Sequence, residues 1–161
     1  MKRERIITWK DPADGAKQAI KMSGIDYLNA MGAEKLPLPP LMYTLDFSVS
    51  NMLEGNVVFE FIPQEFHYNP IGTVHGGVIS AILDSAMGCS LHSLLPAGKI
   101  YTTLELKVNF LKALTVNTGK IKTVSKVINL GGRTALVEAQ LIDDNGTVYA
   151  HGTSTCLIIK L

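Results

Sequence analysis

The alternation of apolar and polar positions divides this chain into a β-rich second half, a buried helical middle and a shorter mixed beginning. From Tyr101 to Phe110, Leu104, Leu106, Val108 and Phe110 alternate with Thr103, Glu105, Lys107 and Asn109. A period of two predicts a half-buried strand. Three further strands are predicted at 118–128, 133–142 and 148–159. The first carries Lys120, Lys122 and Lys126 on one face, and the second carries Ala135, Val137, Ala139 and Leu141 on one side. Gly131-Gly132 and Asp143-Asp144-Asn145-Gly146 are tight-turn signals between them. Two strands are also predicted earlier, at 41–50 and 56–62, with Glu54-Gly55-Asn56 as their turn and Pro63 as a stop.

The middle of the chain has no polar face. Val78, Ile79, Ile82, Leu83, Met87, Leu91 and Leu94 point in all directions around a predicted helix from His75 to Leu95. Such a helix is wrapped by other elements, not laid on a surface. Gly77, Ala81, Ser85 and Gly88 recur at three- and four-residue spacing and predict a thin side open to another backbone. Near the start, Asp11-Pro12 is a helix entry signal, with a helix to about Met31 and Gly32 as its stop. Gly24 weakens that helix, and two shorter helices are the alternative. Leu36-Pro37-Leu38-Pro39-Pro40 predicts an extended connector. The order is therefore helix, two strands, one long buried helix, four strands. This predicts one α+β domain over 1–161, with residues 1–40 as a helical extension and connector. One curved sheet around one helix is the simplest packing, and its open edges invite pairing with a second copy.

Composition narrows the function. The 161 residues are 47% hydrophobic and 18% charged, with a net charge of +1. That balance offers no global attraction for nucleic acid or an anionic membrane. The run from Val78 to Leu95 is interrupted by Ser80, Asp84, Ser85, Ser90, His92 and Ser93, which argues against a membrane span. Cys89 and Cys156 sit in apolar runs and read as buried thiols of a reducing compartment; no secretory leader is visible, so the expected location is cytoplasmic. His67, His75, His92 and His151 show no metal-ligand spacing, so no metal is expected.

Chemistry concentrates where the buried helix begins. A helix starting at His75-Gly76-Gly77 presents unpaired N–H groups and the positive end of its dipole, and glycines let a ligand approach. That is an oxyanion-hole arrangement. Asp84, in the same helix, is a candidate general base or nucleophile. No Gly-x-Ser-x-Gly elbow competes with it. Gly76 and Asp84 are separated by about 12 Å at ~1.5 Å per residue, too far to serve one carbonyl. Two antiparallel copies of the helix across a two-fold axis bring Gly76 of one chain beside Asp84 of the other, so the spacing predicts a dimer with two shared sites.

Asn69-Pro70-Ile71-Gly72-Thr73-Val74-His75-Gly76-Gly77 followed by Asp84 resembles the hotdog-fold acyl-CoA thioesterases of the phenylacetate-degradation (PaaI-like) type. The 23–28, 36–40, 102–111 and 149–151 stretches are similar to that family too. The resemblance implies a helix wrapped by a six-stranded antiparallel sheet, a homodimer and often a homotetramer. It implies hydrolysis of an acyl- or aryl-CoA thioester to free acid and CoA, with no cofactor beyond the CoA of the substrate. Carried over by position, Gly76 N–H polarises the carbonyl, Asn69 orients water or carbonyl, and Asp84 of the partner drives attack. Thr103, or its neighbour Thr102, holds the water. His75 and Gly77 belong to the substrate-binding turn, although His75 also suits a bracing role. Arg133, or the lysines of 118–128, is a candidate for the CoA phosphates. The alternatives are a non-catalytic acyl-CoA-binding module and, less well matched, a hotdog dehydratase.

Overall fold

The computed structural model describes residues 2–161. In chain order its elements are α1 (Pro12–Ala19), α2 (Gly24–Gly32), α3 (Pro40–Leu45), β1 (Phe47–Leu53), β2 (Asn56–Phe61), a 3-10 turn (Glu65–His67), α4 (Gly76–His92), β3 (Lys99–Phe110), β4 (Ile121–Leu130), β5 (Thr134–Asp143) and β6 (Val148–Lys160). The strands form one six-stranded sheet in the order β1-β2-β4-β5-β6-β3, antiparallel throughout. The sheet curls around α4, whose Ile82, Leu83, Ala86, Met87 and Leu91 are wholly buried. This is the α+β architecture that the pattern predicts. β1 and β3 are the free edges.

The beginning of the chain departs most from expectation. The 11–31 region is two helices. Asp11 caps α1 by accepting from Ala13 N at 2.9 Å, with Pro12 at the first helical position. Ser23 opens α2 by accepting from Asp26 N at 3.3 Å. Gly24 has a packing reason. A Cβ there would stand 1.6 Å from the carbonyl oxygen of His92, so the start of α2 lies directly against the end of α4. Leu41–Ser50 is not one strand: residues 40–45 are helical and β1 begins at Phe47. Pro40, at the end of the predicted connector, supplies a preset first turn. At the other end Asp46 adopts φ 53°, and the Arg5 guanidinium donates to the carbonyls of Tyr43 and Thr44 at 2.6 and 2.7 Å. A cation on the last carbonyls stabilises a short helix that local propensity leaves undecided.

The thin side of α4 also differs from expectation. At Gly88 the neighbour is a side chain, the Tyr101 phenol, whose oxygen lies 2.0 Å from where a Cβ would be. The helix starts at Gly76 with His75 as its cap and ends at His92, three residues short of Leu95.

Hydroxyls replace part of the main-chain ladder between β2 and β4. Only Glu60–Lys122 and Phe61–Ile121 pair there. Further along, Val57 N donates to Ser90 Oγ and Phe59 N to Thr123 Oγ1, each at 2.9 Å. Ser125 Oγ donates to Val57 O at 3.3 Å and lies 2.6 Å from Ser90 Oγ. Gly55 N donates to Ser93 Oγ at 2.8 Å. The four hydroxyl residues are buried and satisfied, as buried polar groups must be. They hold the β1–β2 hairpin away from β4 and over α4, which leaves room for a cavity. Lys120 and Lys122 pair with Glu60 and Asp144 at 3.4 and 3.3 Å. Among the described residues, no helix is long and apolar enough to cross a membrane.

Candidate active site

Asp84 sits on α4 where β3 passes. Thr103 Oγ1 donates to Asp84 Oδ1 at 2.9 Å. Thr102, the residue before it, is exposed. The choice between them is fixed by register: Thr103 pairs with Cys156, the ladder then slips between Thr103 and Glu105, and Leu104 is the extra residue. A bulge of this kind re-aims the neighbouring side chains.

Two cavities meet at Asp84. One is apolar, about 210 Å³, and runs beneath α2, α3 and the β1–β2 hairpin. The other is an open cleft of about 510 Å³ bounded by Thr102, Thr103, Tyr101 and Tyr27. Cys89 and Tyr101 stand with Asp84 on the wall common to both. Burial pushes the Cys89 thiol up to about 12, with the Asp84 charge adding to the effect. Burial, then Cys89 and Asp84, likewise pushes the Tyr101 phenol far above its ordinary range. Both groups are therefore neutral at physiological pH.

The turn before α4 lines a separate cavity. Asn69 Oδ1 accepts from Ile71 N and Thr73 N at 3.0 and 3.2 Å, and Nδ2 donates to Thr73 Oγ1 at 2.9 Å. Asn69 thus organises its own turn, with the second Nδ2 hydrogen left over. The turn is anchored by Val74 N on Leu114 O and His75 N on His67 O. His75 Nδ1 accepts from Gly77 N at 2.8 Å, so a neutral ring carries its proton on Nε2. Gly77 N–H is thereby occupied. Gly76 N–H has no partner among the described residues, and the Phe110 ring lies 3.0 Å from where a Gly76 Cβ would be. Gly76, Asn69 and Phe110 share a cavity of about 360 Å³ that does not include Asp84. Arg133 is exposed in the β4–β5 turn, where its carbonyl accepts from Ile158 N at 2.8 Å, and it lines none of these three cavities.

Sequence reasoning singled out Asp84, Thr103, Gly76 and Asn69, and the fold groups them two and two. It missed Tyr101 and Cys89 beside Asp84, and Phe110 against Gly76. The signal for Tyr101 was Gly88, a small residue in a bulky helix, but its partner depends on strand register. His92 is buried, neither of its ring nitrogens has a partner, and burial lowers its pKa. Among the described residues, no three His, Cys, Asp or Glu side chains gather as a metal-ligand set.

The family model of the thioesterase superfamily matches residues 71–150, which include Gly76, Asp84 and Thr103 and begin two residues after Asn69. A protein of Saccharolobus solfataricus, provisionally named an esterase, is 28% identical over 116 residues, 72% of this chain and 81% of that one. Among solved structures, a phenylacetic acid degradation-related protein of Ralstonia eutropha JMP134 superposes with a TM-score of 0.73 at 25% identity, covering 81% of this chain and 98% of that one. The E. coli PaaI protein from the phenylacetic acid degradation operon superposes with a TM-score of 0.72 at 17% identity, covering 86% and 96%.

Proposed function

We propose that this chain is a thiolester hydrolase of the thioesterase superfamily, with the hotdog fold of its PaaI-like members, and that it hydrolyses acyl-CoA at two sites shared across a dimer. The observation that carries the reading is the position of Asp84, oriented by Thr103, between an apolar cavity and an open cleft. An acyl chain enters the first, CoA leaves by the second, and the thioester carbon rests at the carboxylate.

The free Asp84 oxygen, the one not bonded to Thr103, takes a proton from water or attacks the carbonyl itself. Either way the carbonyl π-pair moves to oxygen. That oxyanion is met by Gly76 N–H of the partner subunit, helped by the α4 dipole. The second Asn69 N–H orients the same oxygen or the water. Collapse of the tetrahedral adduct expels CoA thiolate: on the base route the proton taken up by Asp84 passes to the sulfur and the free acid departs, and on the nucleophile route water then hydrolyses the acyl-Asp84 anhydride, supplying that proton and releasing the free acid. No group beyond the CoA of the substrate is needed. Two observations support the sharing: Gly76 and Asp84 line separate cavities, and β3 is an unpaired edge open to a second copy.

The experiment uses a panel of acyl-CoAs with a dye that traps released thiol. Asp84→Asn is expected to lose about 10²-fold or more in kcat. Gly76→Pro removes the N–H donor at a first helical position whose backbone suits proline, since His75 already has the extended backbone that precedes one (ψ 135°), and the Phe110 ring, 3.0 Å from the new Cβ, must shift by a few tenths of an ångström. Its expected loss is about 10²–10³-fold. A purified heterodimer of one Asp84→Asn chain and one Gly76→Pro chain retains one intact site and about half the wild-type rate. A heterodimer as inactive as either homodimer refutes the sharing.

A further inference from the structure

We infer that the apolar cavity beneath α2, α3 and the β1–β2 hairpin selects the acyl group, accepting one of up to about eight carbons whose far end carries no polar group. The inference rests on the acyl-CoA reading and adds its substrate class.

Size comes first. An apolar cavity of ~150 Å³ is known to hold benzene, six carbons. By proportion, a cavity of about 210 Å³ holds about eight, either a straight chain or one ring on a short linker. Polarity comes second. Every polar or ionisable side chain on the wall (Asp84, Ser85, Cys89, Tyr101) belongs to α4 or the start of β3, at the reacting end. The Ser85 hydroxyl is occupied, donating to Ala81 O at 2.8 Å. The far wall is Met42, Phe47, Val57 and Phe59, all buried and all apolar. A hydroxyl or carboxylate at the far end of the acyl group loses its water there and finds no partner. The protein-scale cost of such an orphaned group corresponds to about tenfold or more in selectivity. Met31, Met42 and Met52 line the cavity with flexible side chains, so the wall adjusts to chain or ring while rejecting polarity.

These far-wall residues lie outside the stretch matched by the family model. The segment that carries them is held in place from a distance. The Arg5 guanidinium clamps the end of α3, and Ser90 and Ser93 clamp the hairpin.

The test compares acetyl-, hexanoyl-, octanoyl-, dodecanoyl-, phenylacetyl-, hydroxyphenylacetyl- and succinyl-CoA as substrates. Expected are the highest kcat/KM for hexanoyl-, octanoyl- and phenylacetyl-CoA, and about tenfold or more lower values for the hydroxylated and carboxylated acyl groups. Val49→Phe, on the cavity wall of β1, lowers octanoyl-CoA turnover about tenfold or more while leaving acetyl-CoA within about twofold. Met52→Ala, at a half-buried position, moves the optimum towards dodecanoyl-CoA. Alongside, thermal shifts of the wild type and Val49→Phe with free octanoate and with 8-hydroxyoctanoate report occupancy without hydrolysis. Stabilisation by octanoate alone, lost in Val49→Phe, supports the cavity even if no thioester is cleaved. In that outcome the thioesterase reading fails and the cavity assignment stands. Hydrolysis that ignores length and polarity, with both variants scaling all substrates equally, overturns the inference and leaves the thioesterase reading in place.

Discussion

Gly24→Ala sets helix propensity against packing, and the two predict opposite signs. In a helix, alanine is favoured over glycine by about 1 kcal/mol. Gly24 is the first residue of α2, and it is buried. The would-be Cβ lies 1.6 Å from His92 O and 2.5 Å from His92 C, backbone atoms at the end of α4. A comfortable carbon–oxygen contact is about 3.3 Å. The start of α2 must therefore move by about 1.7 Å, and no side chain can give way instead. The same movement breaks the bond from Gly24 N to Leu95 O, 2.9 Å long, at a cost of about 1 kcal/mol. Overpacking adds about 1–3 kcal/mol. After the propensity gain, the net loss is about 1–3 kcal/mol, a fall in Tm of roughly 3–9 °C for a chain of this length. Urea melts with a shared slope give the number. Because α2 carries Leu28 and Met31 into the apolar cavity, octanoyl-CoA turnover falls further than acetyl-CoA turnover. A Gly24→Ala protein as stable as the wild type, or more so, refutes the proposed contact between α2 and α4.

The remaining predictions concern buried titratable groups. His67 and His92 both have lowered pKa values, burial being the main cause in each. The native state thus holds these rings neutral, and the stability they permit is full above the ordinary value of about 6.5 and lost as pH falls below it. Tm is expected to drop between pH 7 and pH 5. In His92→Phe, which removes two unpartnered nitrogens, Tm at pH 7 rises by an amount worth about 1 kcal/mol and its acid slope is shallower. An unchanged acid slope in His92→Phe removes His92 from that account. Cys156 is buried and the Cys89 thiol is pushed up to about 12, so neither reacts with a thiol dye at pH 8 in the native protein and both react in denaturant. Rapid labelling of the native protein contradicts this.

The central helix, the four closing strands and the separation of Gly76 from Asp84 within one chain were legible in the sequence, because each rests on local periodicity or on spacing along one element. What was not legible depends on partners distant in the chain. Residues 40–45 have a mixed pattern, and their helix is stabilised by Arg5, 38 residues before Tyr43. Ser90 and Ser93 looked like interruptions of an apolar run, yet they satisfy main-chain N–H groups of a hairpin more than 30 residues earlier. Thr103 was preferred over Thr102 by resemblance alone. Its orientation towards Asp84 comes from register with β6 and from the bulge at Leu104. Gly77 read as a free donor like Gly76, and only the His75 rotamer separates them.

The hydroxyls between β2 and β4 make this sheet a hinged object. A continuous ladder fixes the angle between neighbouring strands through many equivalent bonds, and changing it means breaking them all. Here the angle is set by Ser90, Thr123 and Ser125, three side chains that single-nucleotide changes can shorten, lengthen or remove. The width of the space under the hairpin is therefore a heritable setting that can drift step by step while Asn69, Gly76, Asp84 and Thr103 stay unaltered. A lineage carrying this fold can change its acyl diet through three buried hydroxyls that never touch a substrate.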